Sequence, residues 1–144
     1  MDRSNCYSDD QPANCVIDDF AVVQTLASVH GFNKDIDQGV HFLTDDERTE
    51  IFYSAANTGV IYNYATKQQK LLQGHCNLIT SILCSNDKNW IVTADAGDDS
   101  MLVVWDSRTG TPVRTFLKPH PGGIKIMDMS ADKKYIATLG ADDP

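Results

Sequence analysis

Two stretches that lie 45 residues apart decide the fold of this chain: ITSILCSNDKNWIVT at residues 79–93 and IKIMDMSADKKYIAT at residues 124–138. When residues 79–98 are placed over residues 124–143, eight of the twenty positions are identical. The same shift brings His75 onto His120 and Trp90 onto Tyr135. A repeat of this length is typical of the blades of a β-propeller.

Each repeat consists of short apolar segments separated by turn residues. Ile79 to Ser85 is rich in β-branched residues, and the following Asn-Asp-Lys has the side-chain chemistry of a turn. Met101 to Trp105 is apolar throughout, as expected of a strand covered on both faces. Val113 to Leu117 alternates like an outer strand, and no stretch from Val40 onward has a helical period. The sequence therefore predicts an all-β fold.

The repeats divide the chain into a leader and a partial propeller. We predict a leader at residues 1–36, blade one at about 37–73, blade two at about 74–118 and an incomplete blade three at 119–144. Within the leader, Leu26 to Phe32 is expected to be an outer strand that closes a last blade, while a short helix over Val16 to Val29 stays an alternative. Propellers close with roughly 4–8 blades of about 45 residues. About two and a half four-stranded blades do not close, so we expect a fragment of a larger propeller.

Composition excludes several function classes. The chain has 144 residues, with 20 acidic against 12 basic residues and a formal net charge of −8, which argues against nucleic-acid binding. The longest apolar runs are too short to cross a bilayer, and the N-terminus lacks the apolar core of a signal peptide. No Cys-x-x-Cys pair occurs, so neither a zinc site nor a disulfide framework is predicted. We expect a protein of a reducing compartment.

Gly74-His75 and Trp105-Asp106 resemble the paired signatures of the WD40 repeat. That resemblance implies a hydrogen-bonded tetrad, which by position consists of His75, Thr93, Asp99 and Trp105. A Trp indole only donates, whereas imidazole and hydroxyl groups can both donate and accept, so such a set can satisfy itself inside a core. We expect it to stabilise the blade, and a catalytic His/Asp/Thr set is the weaker alternative.

Longer strings resemble a particular family of WD-repeat proteins. The most distinctive is Thr-Ala-Asp-Ala-Gly at residues 93–97, which runs on into Val-Trp-Asp-Ser at residues 104–107. Over about residues 37–143 the chain resembles the propeller start of the cilia- and flagella-associated protein 251 family. The resemblance implies a non-enzymatic subunit of the calmodulin- and spoke-associated complex, near the base of a radial spoke on the ciliary axoneme. Its partners would be other subunits of that complex, and its role would be to help set the ciliary beat.

Other readings of the sequence are weaker. Asp95, Asp98 and Asp99 offer three carboxylates in five residues, but turn chemistry explains them more simply than a weak cation site. No calcium loop of the Asp-x-Asp-x-Asp-Gly type occurs, and we expect no metal, cofactor, membrane or small-molecule substrate. A propeller hydrolase would need converging His and carboxylate groups that the sequence does not show. A generic cytoplasmic WD-repeat adaptor, such as a ubiquitin-ligase receptor or a trafficking scaffold, is the alternative function. The sequence does not indicate the partner-binding residues.

Overall fold

The computed structural model describes residues 27–141, and within them the chain forms ten β-strands and no helix. Most of the segment from Val16 to Val29, where a short helix was the alternative, lies outside the described residues. The strands are β1 (Val40–Phe42), β2 (Glu50–Ala55), β3 (Thr58–Asn63), β4 (Gln68–Leu72), β5 (Ile79–Cys84), β6 (Trp90–Asp95), β7 (Met101–Asp106), β8 (Pro112–Leu117), β9 (Ile124–Met129) and β10 (Ile136–Gly140).

The strands form three antiparallel sheets that follow one another along the chain. The first sheet has the order β1-β2-β3-β4, the second β5-β6-β7-β8, and the third pairs β9 with β10. None of the three closes on itself, so the molecule is an unclosed β-propeller fragment, and the predicted all-β class is confirmed. The sheets occupy the parts of the sequence where the repeats were placed.

Two apolar layers hold the sheets together. Between the first and second sheets lie Phe52, Ile61 and Leu72 on one side, with Ile91 and Trp105 on the other. The second and third sheets enclose a separate layer, formed by Leu83, Val92, Ala94, Leu102, Ile124 and Met127. Successive residues of a strand point to opposite faces, so Ile91 enters one layer and Val92 the other. This is why the middle strands of the second sheet are apolar throughout.

The sequence repeat is also a repeat of turn geometry. The Ser85 hydroxyl donates to Asp87 Oδ1 (2.5 Å), and the Ser130 hydroxyl donates to Asp132 Oδ1 (2.6 Å). Each serine oxygen also accepts a hydrogen bond from the backbone N–H five residues later, at 3.0 Å in both turns. The lysine that ends each turn, Lys88 or Lys133, has a φ of 61°. The two hairpins therefore fold by the same local chemistry.

Residues 27–32 form no strand with the rest of the described chain, and the closing strand expected at Leu26 to Phe32 stays a prediction, since the last blade that it would join is not among the described residues. The Val29 N–H donates to Gln69 Oε1 (2.8 Å), and Gln69 Nε2 donates to the Val29 carbonyl (2.9 Å). Because the Gln69 side chain binds both the N–H and the carbonyl of Val29, these two backbone groups do not pair with a neighbouring strand. The Asn33 N–H donates to the Ser54 carbonyl (2.9 Å), and its side chain donates to the Ile79 carbonyl (2.9 Å). We call residues 27–33 the N-terminal strap, because they tie the first sheet to the second.

Candidate functional site

A buried hydrogen-bond network in the second sheet contains three of the four residues of the expected tetrad. His75 Nε2 lies 2.6 Å from Thr93 Oγ1, and Trp105 Nε1 donates to the same oxygen at 2.8 Å. On the other side of the ring, His75 Nδ1 lies 2.9 Å from Asp95 Oδ2. If Nδ1 donates to the carboxylate, Nε2 accepts from the Thr93 hydroxyl, which in turn accepts from the indole. Every polar group is then satisfied with one proton on the imidazole.

The carboxylate of this network is Asp95, so the expectation of Asp99 was wrong. Asp95 is the last residue of β6 and is fully buried, and its Oδ1 accepts the Met101 N–H at 2.6 Å. Side chains two residues apart on a strand share a face, which places Asp95 beside Thr93. The side chain of Asp99 is 81% exposed and pairs with Lys118 at 3.0 Å. The alternation of β6 is the signal that identifies Asp95 in the sequence.

The arrangement of the network suits strand packing rather than chemistry on a substrate. The side chains of His75 and Asp95 are both inaccessible to solvent. Each ring nitrogen already has a partner, so no open position lies next to a free base or nucleophile. A buried polar network with all its partners present favours one arrangement of the strands around it. The third sheet repeats one link of the network, because His120 Nε2 lies 2.9 Å from Thr138 Oγ1.

The acidic residues do not converge on a metal site. Asp95 faces His75 and Asp99 faces Lys118, so the three carboxylates of this loop do not point to a common centre. No group of three metal-ligating side chains occurs anywhere within residues 27–141. That part of the chain also has no helix long and apolar enough to span a membrane.

The inner strands of the three sheets border a groove of about 640 Å³, and the side chains of Cys84 and His41 line it. Burial raises the pKa of the Cys84 thiol to about 11, so it stays protonated near neutral pH and is a poor nucleophile. Burial likewise lowers the pKa of His41, which favours the neutral imidazole. Within the described part of the chain, neither residue contacts a partner that would activate it as in a Cys–His pair.

A second groove, of about 970 Å³, lies between the outer strands of the second sheet and the third sheet. We call it the cationic groove, because three basic side chains and, among the residues that the structure describes, no acidic one line it. Its basic residues are Arg114, Lys133 and Lys134, and its main apolar residues are Leu102, Val104, Phe116, Met129 and Ile136. Sequence reasoning missed this groove, since its residues come from both repeats and meet only after the sheets pack.

The turns between strands link neighbouring sheets by charged contacts. Arg48, from the β1–β2 loop, donates to Ser107 Oγ (3.0 Å) and to the Lys88 carbonyl (2.5 Å) of the second sheet. Its guanidinium also pairs with Asp45 at 3.2 Å, and only 8% of its side chain is exposed. In the opposite direction, Arg108 of the second sheet forms an ion pair with Glu47 of the β1–β2 loop at 3.0 Å. These contacts fix how the first two sheets sit against each other.

Comparison with known proteins identifies the family. Residues 25–144 match the family model described as the CFAP251 N-terminal domain. The chain belongs to this family. The match includes the N-terminal strap and all three sheets, so the strap is part of the family's domain rather than an appended leader.

Curated relatives share much of this sequence. Cilia- and flagella-associated protein 251 of Tetrahymena thermophila is 52% identical over 112 residues, which are 78% of this chain and 11% of the relative. The protein of the same name from Chlamydomonas reinhardtii is 45% identical over 120 residues, which are 83% of this chain and 15% of the relative. Human cilia- and flagella-associated protein 52 is 27% identical over 121 residues. The chain thus spans less than a fifth of the length of each of these relatives.

Proposed function

We propose that this chain is a non-enzymatic interaction module of the cilium or flagellum that acts as a scaffold on the axoneme. The observation that carries the proposal is the match of residues 25–144 to the CFAP251 N-terminal domain. Relatives at 52% and 45% identity are both named cilia- and flagella-associated protein 251. Association with radial spokes, and a part in regulating ciliary motility, are the finer form of the proposal.

The geometry of the described residues supports a scaffold role. His75, Thr93, Asp95 and Trp105 pair with one another inside the second sheet, so we assign them to blade stability. Large apolar side chains are instead exposed on β8 and on the third sheet, among them Leu117, Ile126 and Leu139. Exposed apolar patches of this kind mark surfaces that contact other proteins. The expected partners are other proteins at the axoneme, such as subunits of the spoke-associated complex.

Fractionation of a ciliated cell tests the proposal. The tagged chain is expressed, and cilia are isolated, demembranated and separated into axoneme and soluble fractions for immunoblotting. We expect the chain in the axoneme fraction. The matched control is Trp105→Ala, which removes a buried side chain of the second sheet and tests whether retention depends on the folded surface. If the wild-type chain is found in the cell body alone, the ciliary proposal fails and a cytoplasmic adaptor takes its place.

A further inference from the structure

The groove of about 640 Å³ at the inner strands has two polar groups in its lining that lack a partner within residues 27–141. We call it the inner groove; it is bordered by residues 35–38, by His41 of β1 and by parts of β5 and β9. His41 Nε2 is buried and forms no hydrogen bond in the described chain. Ser81 of β5 is only 7% exposed, and within the same residues its hydroxyl is also unpaired. Since buried polar groups nearly always have a hydrogen-bond partner, both groups favour a ligand that supplies one.

The environment of His41 shows which kind of partner it lacks. Burial lowers the pKa of its imidazole, which favours the neutral form. The ring stacks on Phe52, with the centroids 6.5 Å apart and the planes at 25°. A hydrogen bond with the backbone of Ile82 raises the same pKa, and a bond that stabilises the protonated ring is one in which the ring donates. One ring nitrogen therefore carries the proton, and Nε2 is left with a lone pair that requires a donor.

The carboxylates around the inner groove add a requirement for positive charge. Asp35, Asp37 and Asp128 line it, and Lys125 is the one side chain of its described lining with a fixed positive charge. None of the three carboxylates takes part in an ion pair within residues 27–141. With a neutral His41, the lining thus carries three negative charges and one positive charge. A concave surface with this balance attracts cations and repels anions.

The acceptors of the inner groove favour one kind of cation. A bare metal ion is disfavoured, because no group of three metal-ligating side chains comes together within residues 27–141. A lysine ammonium has three donors at one point, whereas a guanidinium has five N–H groups in a planar fork and no acceptor. The acceptors belong to separate elements, with His41 in the first sheet and Ser81 in the second. A guanidinium suits such a set, and it is also the more weakly hydrated of the two cations.

We propose that the inner groove binds an arginine side chain from a partner protein, whose guanidinium donates to His41 Nε2 and to the Ser81 hydroxyl. Asp35 and Asp37, which are exposed on the loop before β1, balance the charge of the segment that carries this arginine. All four residues precede β6 and belong to the first two sheets and the loop before them. The inference rests on the proposed function in taking its ligand from a protein, and it adds the chemistry of the partner.

An NMR titration of the purified full chain tests this proposal, because the ¹⁵N signal of His41 Nε2 responds directly to a donor at that nitrogen. The probe is the blocked peptide Lys-Gly-Arg-Gly-Lys, and two matched peptides carry lysine or citrulline in place of the arginine. Citrulline keeps the shape of the side chain but has no charge. We expect a saturable shift with the arginine peptide, and about tenfold weaker binding with either replacement. The His41→Phe chain, which keeps a ring beside Phe52, assigns the signal.

Variants of the chain separate the inner groove from a general effect of charge, and the amide signals of residues 79–85 report their binding. We expect the double variant Asp35→Asn, Asp37→Asn to weaken binding about tenfold. Its matched control is Asp46→Asn, Asp98→Asn, which removes the same charge at exposed residues outside the groove and should leave binding unchanged. Ser81→Ala removes only a hydroxyl and should weaken binding about fivefold.

Four results would overturn the proposal. They are the absence of a saturable shift, equal binding of the lysine or citrulline peptide, equal weakening by the control pair, and equal affinity for free arginine. The last would mean that the ligand is a small molecule rather than a protein segment. All of these readouts use purified protein, whereas the fractionation of cilia tests the proposed function. Retention on the axoneme without peptide binding would leave the scaffold function standing and remove only the arginine site.

Discussion

At the scale of single residues, Thr93 is the junction of the buried network. Its one oxygen contacts both His75 Nε2 and Trp105 Nε1, which belong to different segments of the second sheet. A hydroxyl is suited to this place because it donates and accepts at once. Valine has nearly the same shape but lacks both capacities, so it isolates the contribution of the hydrogen bonds from that of packing.

We expect Thr93→Val to lower the free energy of unfolding by about 1–3 kcal/mol, because it leaves two buried groups without a partner. Urea denaturation of the purified chain measures the change. Thr115→Val is the matched control, since Thr115 is exposed on β8 and its substitution should cost less than about 0.5 kcal/mol. If the two variants had the same free energy of unfolding, the hydrogen-bond network would not stabilise the second sheet.

Asp95→Asn and Asp99→Asn test the identity of the carboxylate. Asp95 accepts from both His75 Nδ1 and the Met101 N–H, and an amide has only one oxygen for these two donors. We expect Asp95→Asn to destabilise the chain by about 1–3 kcal/mol. Asp99→Asn should stay within about 0.5 kcal/mol of wild type, because the side chain of Asp99 is exposed. If thermal unfolding showed that Asp99→Asn destabilises the chain more than Asp95→Asn, Asp99 would be the carboxylate of the network.

At the scale of the strand and its turn, each repeated lysine reaches back to the preceding sheet. Lys88 donates to the Thr44 carbonyl of the first sheet, and Lys133 pairs with Asp87 of the second at 2.6 Å. Both lysines have the same positive φ of 61° at the end of their turns. The same four-residue turn thus links one hairpin to the sheet before it, twice along the chain.

The ion pair between Lys133 and Asp87 predicts a pH dependence. The pKa of Asp87 is lowered from its ordinary value of 3.8, first by the hydrogen bond from Lys133 and then by that from Ser85. A carboxyl group whose pKa is lowered in the folded state stabilises that state above its unfolded pKa, and this contribution is lost as the pH falls towards the folded value. We expect wild type to exceed Asp87→Asn in melting temperature at neutral pH, and the difference to shrink at about pH 3.

Asp132→Asn is the control for this measurement. Asp132 occupies the corresponding place in the next turn, but its pKa is lowered first by the Ser130 hydroxyl and it pairs only with the exposed Lys134. Both variants change the net charge equally, so a general charge effect would act on them alike. A difference between Asp87→Asn and wild type that does not change with pH would contradict the assigned role of Lys133.

The strands and turns could be predicted because they depend on local chemistry, whereas two other features could not. Ile79–Cys84 and Met101–Asp106 lie where their apolar runs predicted them, since apolar runs and turn residues are local signals. The carboxylate was misplaced because three aspartates follow Thr93 within six residues, and the alternation that identifies Asp95 applies only if β6 extends to residue 95, as the strand register shows. The bonds of the N-terminal strap were not predicted, because they come from the distant side chain of Gln69.

At the scale of the whole molecule, the three sheets form a linear stack in which the second sheet contacts both others. The first and second sheets share one apolar layer, and the second and third sheets share another. Stacked repeats of this kind derive their stability from each unit and from the interfaces between neighbours. Within residues 27–141 the third sheet has one such neighbour and two strands, and Leu139 and Tyr135 are exposed on it. We therefore expect it to be the least stable part of the stack.

Gly123 is the point at which the third sheet meets the second. It forms a bridge with Ala96, and its φ is 90°. An added Cβ would lie 2.3 Å from Ala96 Cα and 2.7 Å from the Asp95 carbonyl oxygen. Both contacts are with backbone, so a methyl group is accommodated only if the third sheet moves away. The substitution Gly123→Ala thus perturbs this interface and leaves the layer between the first and second sheets intact.

We expect Gly123→Ala to increase hydrogen exchange in residues 124–141 while residues 50–63 and 90–106 keep their protection, because stacked units open separately when their interface weakens. In wild type the same residues 124–141 should already lose protection first as urea is added. Leu139→Ala, at an exposed position of the third sheet, is the control and should change exchange little. Equal loss of protection in all three sheets would mean that the stack opens as one cooperative unit, since the interface at Gly123 would then support the second sheet as much as the third.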